Sequence, residues 1–185
     1  MNEKKNLTIE ETFALAIQNH KKNNFKVAEN LYKKILKTNP NHFDSFFYLG
    51  TLFAQTKRFD LAKPLLQKAI QINPNYAQAH NNLGIVLKEL GEYQKAIGCY
   101  EKAIKIDPNY SNVYYNLGNI LQELREFKKA KSCYEKLLKL DPTYKKGYSS
   151  YGALLVKIAQ YNKGLAYIKR GDGVIKFTQK DVRII

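Results

Sequence analysis

The chain has 185 residues, 44% apolar and 25% charged, with 31 Lys and Arg against 16 Asp and Glu for a formal net charge of +15. That apolar content is ample for a buried core and excludes disorder throughout; no apolar run approaches the ~18 residues of a membrane span, and the start MNEKKNLTIEETF lacks the apolar core of a signal peptide. Cys99 and Cys133 are too few for a secreted disulfide scaffold, so a soluble, cytoplasmic chain is expected.

Along the chain a single period is kept: Pro40, Pro74, Pro108 and Pro142 recur every 34 residues. The first copy, 9–42, carries Ala28 and Tyr32 but has Ala16 where later copies have glycine. The second, 43–76, has Leu49-Gly50, Ala62 and Leu66. Its Pro64 is expected near the start of a second helix, where a missing amide costs less than in mid-helix, and to shift that start to Asp60. In the third, 77–110, the spacing of Ala79, Leu83, Leu87 and Leu90 predicts one helix. Tyr93, Ala96, Tyr100 and Ala103 predict another after a break at Gly91. Gly84 and Ala96 have almost no side chain, so the two helices can approach closely while Leu83 and Tyr100 fill the space beside the crossing. The segment Asn-Pro-Asn or Asp-Pro-Asn ends the second helix, because a residue before proline is pushed out of the α region. The fourth copy, 111–144, repeats the pattern with Leu117-Gly118, Ala130 and Tyr134. The fifth, 145–171, has Tyr151-Gly152, Gly164 and Ile168, with Gly171 in place of alanine and no closing proline. Residues 172–185 break the period: Val174-Ile175-Lys176-Phe177-Thr178 reads as a strand, and the tail either folds back or opens a following domain.

The series His80, Leu83, Gly84, Leu87, Ala96, Tyr100, Ala103 and Pro108 resembles the tetratricopeptide repeat family, and the resemblance extends over residues 9 to about 170. It implies an all-α fold, a right-handed α-solenoid of about five helix-turn-helix repeats in residues 1–171 followed by a short non-repeat tail. Atypical first and last copies fit such an array.

Catalytic chemistry finds little footing. His20, His42 and His80 lack metal-ligand spacing, the two cysteines lie a full repeat apart, and Gly171-Asp172-Gly173 is too short for a phosphate loop. No serine or cysteine has a recognisable base beside it, so no enzyme, cofactor or metal is expected.

In the resembling family, first-helix residues that do not face the core line the concave surface. That stripe holds Tyr48 in the second copy, Gln78, Asn81, Asn82, Ile85 and Lys88 in the third, and Asn112, Tyr115, Asn116, Asn119 and Gln122 in the fourth. Amides offer donor and acceptor on one group and suit the backbone of a bound extended chain. Asn82 and Asn116 share one repeat position, and with AHNNLG and YYNLGNIL they resemble the asparagine ladder of the repeat superhelix in O-linked N-acetylglucosamine transferases. The other copies have Ala14, Tyr48 and Ser150 there, so the resemblance implies a peptide groove centred on copies three and four rather than transferase activity. The carboxylate clamp that holds chaperone tails needs Lys, Asn and Arg at places where this chain offers Phe13, Ile17, Tyr48 and Gln78, or Phe47, Thr51 and Asn112. Such tails are disfavoured as ligands.

Basic residues such as Lys33, Lys34, Lys37, Lys128, Lys129, Lys131, Lys136 and Lys139 fall on second helices and turns, not interleaved with exposed aromatics, which disfavours nucleic acid. The expected function is a scaffold or adaptor for a protein or peptide segment. The alternative is the N-terminal substrate-recruiting module of a larger, glycosyltransferase-like enzyme whose catalytic domain lies beyond Ile185.

Overall fold

The structure is a computed structural model that describes residues 7–172, 175–177 and 182–184. The chain divides into two compact units, Met1–Cys99 and Tyr100–Ile185. Among the described residues there are ten helices: α1 (Ile9–Lys21), α2 (Phe25–Thr38), α3 (Phe43–Gln55), α4 (Phe59–Ile72), α5 (Ala77–Glu89), α6 (Tyr93–Ile106), α7 (Ser111–Glu123), α8 (Phe127–Leu140), α9 (Lys145–Lys157) and α10 (Tyr161–Asp172). The all-α fold of repeated hairpins expected from the sequence is the fold present.

Helix starts and stops follow from backbone hydrogen bonding. At the front of α1, the Thr8 hydroxyl accepts from the Glu11 amide and the Glu11 carboxylate accepts from the Thr8 amide, so each end of the box satisfies an orphan donor of the other. Each first helix closes with a residue in the left-handed region: Asn23, Lys57, Gly91, Arg125 and Ala159, with φ from 57° to 76°. That conformation lets the following amide reach back to a carbonyl five residues earlier, as Glu92 does to Leu87 and Gln160 to Leu155, both at 2.8 Å. One of the five is glycine, which meets the requirement without a Cβ clash.

The repeat markers form the core. Ala28, Tyr32, Ala62, Leu66, Ala96, Tyr100, Ala130 and Tyr134 are buried on second helices, and Leu49, Leu52, Leu83, Val86, Leu117, Ile120, Tyr151 and Leu154 on first helices. Each such Leu or Ile contributes ~1.5–3 kcal/mol by leaving water. Close approach at the crossing is visible at Gly118, where an added Cβ would lie 2.8 Å from the Tyr134 ring. Leu15, on α1, is 38% exposed. Pro64 is the sixth residue of α4, and that helix begins at Phe59, one residue before the Asp60 expected. The large residue that opens every second helix, Phe25, Phe59, Tyr93, Phe127 or Tyr161, sets that start in register with the other copies.

After α10, β1 (Ile175–Phe177) and β2 (Val182–Ile184) pair antiparallel with Ile175 opposite Ile184 and Phe177 opposite Val182. The rest of the tail for which a strand or a following domain was expected, including Val174, Thr178 and Ile185, lies outside the described residues.

Candidate functional site

In the first unit the expected stripe has a floor of aromatic rings. Phe13, Tyr32, Phe47 and His20 all lie within 6.5 Å of Tyr48, centroid to centroid, and Tyr48 itself is half-buried. Beside it opens a cleft of about 380 Å³ lined by Ile17, His20, Lys21, Asn23, Tyr48, Thr51 and Gln55. His20 ties three helices together, with one ring nitrogen 2.7 Å from the Gln55 Oε1 of α3 and the other 3.3 Å from the Tyr32 hydroxyl of α2. Burial, aided by Tyr48, pushes the Tyr32 phenol well above its ordinary range, so it stays a neutral partner of His20. Thr51 extends the lining towards α5, because the Asn82 amide donates to its hydroxyl at 3.0 Å. Gln78 is exposed on the same helix.

Asn81 departs from its expected place in an open groove. It is only 4% exposed, and its side-chain amide donates to the side-chain Oδ1 of Asn82 at 3.3 Å. Both α3 and α4 pack on α5, so the stripe left to solvent is narrower than helical spacing alone implies.

In the second unit Asn112 is exposed, while Tyr115, Asn116, Asn119 and Gln122 are half-buried. Tyr115 lies 5.2 Å from Tyr144, centroid to centroid. Asn119 and Gln122 have a structural duty that the sequence did not reveal: both side-chain oxygens accept from the Tyr134 hydroxyl, at 2.7 and 3.3 Å. The buried phenol needs a partner, and these amides provide it. Burial likewise raises the Tyr134 phenol far above its ordinary range. The sequence-predicted residues are thus distributed over two surfaces, Tyr48, Gln78 and Asn82 on one unit and Asn112 to Gln122 on the other. His20 and Gln55 were missed because neither coincides with a repeat marker and their meeting depends on residues 35 apart in sequence.

Neither cysteine is poised for chemistry. Burial pushes the Cys99 thiol up to about 11 and, with a smaller push from Glu101, the Cys133 thiol to about 11 as well. Both are free and protonated at neutral pH.

A family model described as tetratricopeptide repeat matches residues 77–110 and 111–144, and one described as TPR repeat matches residues 55–91. The chain contains tetratricopeptide repeats. Among solved structures, the tetratricopeptide array here is similar to MamA at 27% identity, with a TM-score of 0.78 over 84% of this chain and 91% of that one. PilF of Pseudomonas aeruginosa is 24% identical with a TM-score of 0.80, covering 90% of this chain and 77% of PilF. YrrB, described as a TPR protein with an unusual peptide-binding site, is 17% identical with a TM-score of 0.73, over 90% and 86% of the two chains. PilF and YrrB therefore share the fold. Comparison with curated proteins finds no match. No helix among the described residues is long and apolar enough to cross a membrane.

Proposed function

We propose that the chain is a cytoplasmic scaffold or adaptor that holds an extended peptide or protein segment on its first-helix stripes. The observation that carries this reading is the cleft beside Tyr48, whose aromatic floor and polar rim continue through Thr51 to Asn82. An aromatic floor takes apolar side chains of a ligand, and Gln55 at the cleft, with Asn82 beside Thr51 and exposed Gln78 on α5, offers donors and acceptors to its backbone. Asn112, Asn116, Asn119 and Gln122 supply a second set on the other unit. The shared repeat position of Asn82 and Asn116 supports the likeness to an asparagine ladder. YrrB, which shares the fold, is described as having a peptide-binding site, and that also favours a peptide ligand here. Chaperone tails are disfavoured because the clamp positions are aromatic, aliphatic or amide.

The test is affinity co-purification of the partner from the source cell, followed by calorimetric titration of its bound segment. Tyr48→Ala should weaken binding at least 10-fold, since it removes an aromatic contact worth ~1.5–3 kcal/mol. Normal binding by that variant, together with salt-sensitive losses for Lys129→Ala and Lys136→Ala, would place the working surface on the basic second helices instead.

A further inference from the structure

Hairpins of the first unit are tied to their successors by an ion pair at one repeat position. Arg58 donates to the Glu29 carboxylate at 2.7 Å, and Lys63 donates to Glu92 at 2.6 Å. Glu29 and Lys63 are each the fifth residue of a second helix, and Arg58 and Glu92 each immediately precede the next second helix. The same position in the second unit is occupied by Lys131, fifth in α8, and Gln160, which precedes α10. Gln160 is neutral, so Lys131 has no carboxylate at the place where Lys63 finds Glu92.

Lys131 and Gln160 instead line a cleft of about 500 Å³ with Arg125, Lys128, Phe127 and Ile158. The nearest acid, Glu135, reaches Lys131 only at 3.9 Å, and the same oxygen accepts from the Tyr151 hydroxyl at 2.7 Å. Glu126, beside the cleft, is held by Lys129 at 2.6 Å. Arg125 and Lys128 are exposed and have no ion pair among the described residues. Three cations thus surround half-buried Phe127 and Ile158, and among the described residues the one acid paired with any of them is Glu135, 3.9 Å from Lys131.

We propose that this cleft binds an acidic peptide segment carrying one apolar side chain. A glutamate or aspartate of the peptide takes the place beside Lys131 that Glu92 takes beside Lys63, and the apolar side chain lies on Phe127 and Ile158. The volume suits one or two side chains, whereas a nucleic-acid surface would carry exposed aromatics along a longer basic track. The site shares no residue with the first-helix stripes, so it stands or falls independently of them.

The experiment uses the full chain and a fluorescein-labelled peptide Glu-Glu-Phe-Glu-Glu, followed by fluorescence anisotropy at low ionic strength. Gln160→Glu places the repeat's own acid beside Lys131 and should weaken binding roughly 5-fold, as expected for loss of one exposed ion pair at the upper end of its range. Lys131→Gln should weaken it by a similar factor, and so should alanine in place of the peptide's phenylalanine. Thermal melts check folding, and the Gln160→Glu midpoint should be unchanged or raised because it completes an ion pair. Wild-type affinity in both variants overturns the proposal, as does absence of binding by the wild type. It is also overturned if a single-stranded oligonucleotide of equal charge binds as tightly and the alanine peptide binds as well as the phenylalanine one, since the surface would then act as a diffuse polycation.

Discussion

Replacing Asn82 by alanine sets two effects against each other. The lost bond to the Thr51 hydroxyl is part-buried, at 3.0 Å, and such a bond is worth ~0.5–1.5 kcal/mol. Alanine is the better helix former, returning up to ~0.7 kcal/mol. The Thr51 hydroxyl also donates to the Phe47 carbonyl at 2.8 Å, so it keeps a partner when Asn82 is gone, but the buried Asn81 amide loses the Asn82 Oδ1 to which it donates at 3.3 Å. With both bonds lost, the net cost to stability should be about 1 kcal/mol, rather than the slight gain expected of an asparagine facing only solvent. Binding behaves differently. Loss of one amide pairing to a ligand backbone costs ~0.5–1.5 kcal/mol, so Asn82→Ala should lower affinity about 2- to 12-fold, and the double variant with Asn116→Ala roughly 5- to 150-fold if the losses add. Urea denaturation and calorimetric titration on the same preparations separate the two quantities. A stability loss above ~2 kcal/mol with unchanged affinity would show Asn82 to be a strut between α3 and α5 and not a ligand contact.

Ala159→Gly should raise stability by ~0.5–1 kcal/mol, because relief of a left-handed alanine, ~1–2 kcal/mol, exceeds the added freedom of the unfolded chain. Gly91→Ala should lose a similar amount, and opposite shifts in thermal melts check both. Ser45 is fully buried with an unpartnered hydroxyl, in the place where the next copy has Ala79, so Ser45→Ala should stabilise by about 1 kcal/mol in urea titration. Burial raises the Glu29 carboxyl, but hydrogen bonds and charge from Lys33 and Arg58 outweigh it and hold its pKa below the ordinary 4.5. A depressed carboxyl stabilises the fold above its unfolded pKa and loses that contribution as pH falls through the folded one. Acid melts should therefore steepen below pH 4.5, and Glu29→Gln should flatten them.

The fold was legible because the period is carried by residue types that cannot be exchanged cheaply: small residues at crossings, large ones beside them, proline after the second helix. The one helix start read from the sequence, at Asp60, lies one residue inside the observed start at Phe59, the place held by the first large residue of every second helix. The turn geometry was legible at Gly91, and Asn23 carries a weaker form of the same signal; Lys57, Arg125 and Ala159 adopt the same conformation with nothing in their side chains to announce it. The site was less readable. Spacing placed Tyr48, Gln78 and Asn82 on one face, yet it could not show that α3 and α4 close over Asn81, or that Asn119 and Gln122 are engaged by a tyrosine from the next helix. Those facts depend on which helix lies against which.

The two ion pairs of the first unit run in opposite senses, acid before base at Glu29 and Arg58, base before acid at Lys63 and Glu92. Hairpins this alike could stack on the wrong neighbour while the chain folds, since their apolar faces are nearly interchangeable. A hairpin that skipped one place would bring Glu29 against Glu92, two carboxylates where the correct order gives an attraction. Between the first three hairpins, the alternation of sign thus sets a repulsion against that one-place skip, which matching of apolar faces alone does not.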